Sequence, residues 1–75
     1  MSEMIRVQVN GEGRDCHADA TVADLLKDLE ITTERVAVEV NLEILDRAVF
    51  GQRMLKDGDR VEILSFIGGG SFGRR

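Results

Sequence analysis

The chain has 75 residues, 43% of them hydrophobic and 32% charged, which suits one small globular domain and leaves no room for a second. Its 14 acids outnumber its 10 Lys and Arg, for a net charge of −4, which speaks against nucleic acid as the main partner because phosphate binding needs a basic patch. A domain this small buries only about 60% of the surface its unfolded chain exposes, so a deep catalytic cleft is not expected and a binding or carrier role is favoured over an enzyme acting alone.

Met4 to Asn10 alternates, with Ile5, Val7 and Val9 on one side and Arg6, Gln8 and Asn10 on the other. That is the pattern of a half-buried strand. Asn10-Gly11-Glu12-Gly13 reads as a turn, because Asn and Gly tolerate positive φ. Arg14 to Ala18 reads as a second, weaker strand closing a hairpin. Thr21 is an N-cap candidate, and Asp24, three residues on, stands where an acid favours the positive end of a helix. Val22, Leu25, Leu26 and Leu29 then fall on one helical stripe, while Lys27, Asp28 and Glu30 face water. So short a helix is marginal alone and must pack on a sheet.

Arg35 to Val40 alternates again, with Val36, Val38 and Val40 on one face. Asn41 begins a tight connection, and Leu42 to Leu45 reads as a short strand. Asp46 to Leu55 fits no single period; Val49, Phe50, Met54 and Leu55 are its candidate anchors to the core. Lys56-Asp57-Gly58-Asp59 is a turn signal, and Arg60 to Phe66 reads as the last strand, with Val61 and Ile63 opposing Glu62. A hairpin, a covering helix and later strands predict an α+β fold of the β-grasp kind. It would have a mixed sheet of four to five strands on one main helix, with the domain at residues 1–67 and a flexible Gly-rich tail at 68–75.

There is no apolar run of about 18 residues, so no membrane span is expected. No basic, apolar leader opens the sequence, and Cys16 has no second cysteine to pair with; a cytoplasmic protein is the simplest expectation. Cys16 reads as a small buried hydrophobe rather than a reactive thiol. His17 alternates to the opposite side from Cys16 and has no partner at metal-ligand spacing, so no metal site is expected. Glu39, Glu43 and Glu62 could be imagined as an acid/base set, but acids alternating along strands usually form a solvated face.

The tail asks for a different account. Glycine costs about 0.5–1 kcal/mol relative to alanine in regular structure, so Gly68-Gly69-Gly70 rejects both helix and strand. A frayed terminus is the plain reading. The functional one is a slender segment threaded into a narrow channel of a partner. Extended, Ile67 to Gly70 would reach roughly 13 Å. Leu64 and Phe66 share one strand face, and Ile67 leads into the glycines; whichever of them lies on the open face of the sheet would form an apolar docking patch.

Five stretches together resemble one known family. They are the hairpin at Asn10-Gly11, the helix opening Thr21-Val22-Ala23-Asp24-Leu25-Leu26, Val38-Glu39-Val40-Asn41, Asp57-Gly58-Asp59-Arg60-Val61-Glu62-Ile63, and Phe66-Ile67-Gly68-Gly69-Gly70. From Met4 to Gly70 the chain resembles the ThiS-type sulfur carriers of thiamine biosynthesis, relatives of the molybdopterin carriers and of ubiquitin. The resemblance implies a carrier, not an enzyme, that binds no cofactor of its own. An adenylating enzyme of the ubiquitin-activating type would use ATP to activate the Gly70 carboxylate. Persulfide sulfur would then replace AMP to give a thiocarboxylate, and thiazole synthase would receive the sulfur. Such carriers commonly end at the glycine pair, whereas here five residues follow Gly70. The carrier role therefore also implies a trimming protease that removes residues 71–75. A carrier for molybdopterin, cysteine or methionine synthesis, a ubiquitin-like protein modifier joined through Gly70, and an unprocessed interaction module are the alternatives.

Overall fold

The computed structural model describes residues 3–65. They form, in order, β1 (Met4–Val9), β2 (Glu12–His17), α1 (Val22–Asp28), a 3-10 turn at Thr33–Arg35, β3 (Val36–Val40), β4 (Glu43–Leu45), a second 3-10 turn at Arg47–Val49, and β5 (Arg60–Ser65). The strands make one five-stranded sheet in the order β2-β1-β5-β3-β4. β1 and β5 run parallel, and the other neighbours run antiparallel. With α1 packed on one side of this mixed sheet, the architecture is the β-grasp read from the sequence.

The alternating valines form the floor of the core. Val7, Val9, Val36, Val38, Val40, Val61 and Ile63 are buried, together with Val22, Leu25 and Leu26 of the helix stripe. Leu29 and Ile5 pack against that core from its margin.

The helix is short, but the five backbone N–H groups from Thr21 to Leu25 all have acceptors at what is the usual weak point of a helix end. Thr21 Oγ1 accepts from Asp24 N–H, and the Asp24 carboxylate accepts from Thr21 N–H, a complete capping box. Leu25 N–H donates to Thr21 C=O. The other two, on Val22 and Ala23, donate to the carbonyls of Arg53 and Phe50 at 3.0 and 2.9 Å. The segment that fitted no period in the sequence is therefore a loop whose carbonyls finish the helix. It is anchored by buried Phe50 and Leu55, whereas Met54, expected to be an anchor, is 51% exposed.

Both hairpins turn on two residues with positive φ, the type I′ geometry that matches strand twist. Val9 pairs with Glu12 across Asn10 (φ 51°) and Gly11 (φ 87°). Val40 pairs with Glu43 across Asn41 (φ 54°) and Leu42 (φ 72°). Leu42 thus belongs to the turn rather than to β4. A leucine in this left-handed conformation is strained by roughly 1–2 kcal/mol, because its Cβ crowds the following carbonyl.

Candidate functional site

β5 is the central strand of the sheet and the one that leads into the glycine tail. Val61 faces Val9 of β1 on one side and Val40 of β3 on the other. Each valine is followed by an asparagine, and because β1 runs parallel to β5 while β3 runs antiparallel, the two asparagines grip opposite ends of it. Asn41 holds the entry. Its N–H donates to Arg60 C=O at 2.8 Å, its Oδ1 accepts from Arg60 N–H at 3.0 Å, and its Nδ2 donates to the buried Asp59 carboxylate at 2.9 Å. Asn10 holds the exit. Its N–H donates to Val61 C=O at 2.9 Å. Its side-chain Oδ1 accepts from Ile63 N–H at 2.7 Å, and its Nδ2 donates to Ile63 C=O at 3.2 Å. One carboxamide thus takes the place that the next residue of β1 would have filled.

Among the residues read as docking or threading positions, Leu64 lies on the sheet face away from the helix, 45% exposed and opposite Ala37 of β3. Ile44 of β4, 72% exposed, shares that face, opposite Glu39. Phe66, Ile67, Gly68, Gly69 and Gly70 lie outside the described residues. On the helix side, Ser65 borders an open groove of about 410 Å³ floored by Val9, Leu29, Ile31 and Ile63.

The three glutamates do not converge. Glu39 and Glu62 face each other on the open side of the sheet, but Glu43 pairs with Val40 and so belongs to the other face, where its nearest cation is Arg53 at 3.9 Å. Among the described residues there is no group of three His, Cys, Asp or Glu able to hold a metal ion, and no helix is long and apolar enough to cross a membrane.

Cys16 is buried on the core side of β2, and His17 beside it is exposed. Burial pushes the Cys16 thiol up from its ordinary value, and the carboxylates of Asp15, Asp28 and Asp59 push the same way. It is a protonated, covered thiol at neutral pH, the opposite of what a sulfur nucleophile needs. Cys16→Ser in a chain ending at Gly70 is therefore expected to accept sulfur as the wild type does, with the mass of the loaded protein as the readout. Loss of loading in a folded Cys16→Ser protein would move the sulfur from the glycine to the thiol.

Comparison with known proteins bears on most of the chain. A sequence model of the ThiS family matches residues 7–70. A protein of Bacillus subtilis named sulfur carrier protein ThiS is 35% identical over 65 residues, 85% of this chain and 98% of that protein. A thiazole synthase of Paramagnetospirillum magneticum is 45% identical over 67 residues, 89% of this chain but only 21% of that protein, so the chain spans about a fifth of the length of that relative. The crystal structure of thiamine biosynthesis protein ThiS from Geobacter metallireducens superposes with a TM-score of 0.76 at 39% identity, covering 88% of this chain and 100% of that one.

Proposed function

The chain belongs to the ThiS family, and from that premise we propose that it carries sulfur for thiamine biosynthesis on the carboxyl carbon of Gly70. One observation carries the choice of atom: the family match ends at residue 70, the last of the three glycines, five residues short of Arg75. The chemistry follows from the poor electrophilicity of a carboxylate. A Gly70 carboxylate oxygen attacks the α-phosphorus of ATP on an adenylating enzyme, and pyrophosphate leaves. The terminal sulfur of a persulfide attacks the acyl carbon, and AMP leaves. A thiol then reduces the acyl disulfide, releasing the thiocarboxylate. The carrier supplies no acid or base to these steps; the partner supplies positioning and electrostatics.

Removal of residues 71–75 by a protease precedes activation. The exposed Leu64, opposite Ala37 on the sheet face away from the helix, contributes with Phe66 and Ile67 to docking the adenylating enzyme, and Gly68 to Gly70 thread its channel. The kinship with a thiazole synthase that carries a similar segment in its own chain supports thiazole synthase as the acceptor, ahead of molybdopterin, cysteine or methionine synthesis. ATP is consumed by the partner, and the carrier holds no cofactor. The thiol-dependent steps suit a reducing cytoplasm.

Intact mass measurement of the native protein tests this reading. The expected species ends at Gly70 and is heavier than the plain acid by the difference between sulfur and oxygen. An isopeptide adduct would instead make it a protein modifier, and an intact Arg75 as the only form would make it an unprocessed interaction module.

A further inference from the structure

We infer that Asn10 is a positioning residue for sulfur loading: its carboxamide fixes the root from which the Gly70 carboxylate is presented. The inference rests on the carrier reading and goes beyond it, because Asn10 lies far along the sequence from the tail and reads in the sequence only as a turn residue.

The parallel ladder between β1 and β5 is short, pairing Gln8 with Arg60 and Val9 with Val61. Past Val61 the chain of β1 turns away into the hairpin, and β5 continues for four more residues with β3 alone beside it. Ile63 turns both its N–H and its C=O toward the side that β1 has left, where the Asn10 carboxamide meets them at 2.7 and 3.2 Å. Strand groups alternate in direction, so Ser65 turns its own pair the same way, into the groove that Asn10 also lines. Among the described residues, Asn10 is therefore the last side-on support of β5 on that edge. Without it the strand is rooted one step earlier, and the tail leaves from a looser base. A partner must then restore the root each time it docks. That penalty falls on binding before and during reaction alike, so it appears in KM and spares kcat.

Two substitutions isolate the carboxamide from the turn. Asn10→Gly keeps the positive φ and deletes both side-chain bonds. Asn10→Asp keeps the acceptor for Ile63 N–H but sets a carboxylate oxygen against Ile63 C=O. Asn41→Gly is the control, because it removes the matching clamp at the far end of β5. Amide hydrogen exchange is followed on the full chain. Pyrophosphate release is followed with the cognate adenylating enzyme on chains ending at Gly70, which keep every described core residue. In Asn10→Gly Ile63 exchange is expected to rise about tenfold, and in Asn10→Asp, which keeps the acceptor, by less. The KM for the carrier is expected to rise about tenfold with kcat within about twofold. Asn41→Gly should lower the melting temperature as much as Asn10→Gly and leave KM unchanged. Equal KM for wild type and both Asn10 variants, or an equal rise in Asn41→Gly, overturns the positioning role while leaving the carrier reading intact. A wild-type chain that is never activated overturns the carrier reading first, and this inference with it.

Discussion

Offered to the cognate adenylating enzyme with ATP, a chain ending at Gly70 is expected to release pyrophosphate, and the full-length chain is expected to release at least about a hundredfold less. The reason is first chemical. With residues 71–75 attached, the carbonyl of Gly70 belongs to a peptide bond, and no carboxylate oxygen is there to attack ATP. The terminal carboxylate of Arg75 is not a substitute, since it lies up to about 16 Å further along an extended chain. The extension would also be the wrong shape and charge for the proposed glycine channel. It places Phe72 just past them and adds Arg74 and Arg75; without those two bases the formal charge falls from −4 to −6, since no acid is lost. Activation of the full-length chain at its own Arg75, at the rate of the shorter one and without cleavage, would show that Gly70 is not the working residue.

The largest effect on stability is expected from Leu26→Ala. Leu26 is fully buried in the helix stripe, packed within the core that also holds the β-strand valines. Truncating it removes buried methyl groups and leaves a cavity that a sheet floor cannot readily fill, a loss of roughly 2–5 kcal/mol. A domain of this size has only about 4–11 kcal/mol to lose, so the melting temperature should fall by at least about 10 °C. Deleting residues 71–75 removes none of the described core residues and should leave it unchanged. Thermal unfolding followed by circular dichroism compares the two directly. The reverse order, with the deletion unfolding the domain and Leu26→Ala tolerated, would contradict the packing described.

What the sequence disclosed was whatever its own local period could encode. The alternation of Ile5, Val7 and Val9, that of Val36, Val38 and Val40, and the Thr21 to Asp24 cap each name an element from neighbouring residues alone. Leu42 was read into a strand because a leucine is a poor sign of positive φ; only the pairing of Val40 with Glu43 puts it in the turn. The stretch from Asp46 to Leu55 showed no period because its backbone serves another element, giving carbonyls to the first turn of α1. The grip of Asn10 on Ile63 spans 53 residues, and no single sequence marks such a pair. A trace of it does stand there: the same Val-Asn step at 9–10 and at 40–41, each opening a turn. For the site itself, alternation said that Leu64 and Phe66 share a face, but it took the burial of Val61 and Ile63 to put Leu64 on the open one.

The central place of β5 has a mechanical meaning. On the proposed threading, a pull on the tail would reach the domain through β5. Had that strand been the outer arm of a hairpin pulled sideways, its hydrogen bonds would have been peeled open one after another. Here a lengthwise load would run along β3 for the length of the strand, and along β1 and the Asn10 carboxamide over its first part, shearing bonds rather than peeling them. A hold on the proposed glycine tail would then load the sheet in shear rather than unzip it.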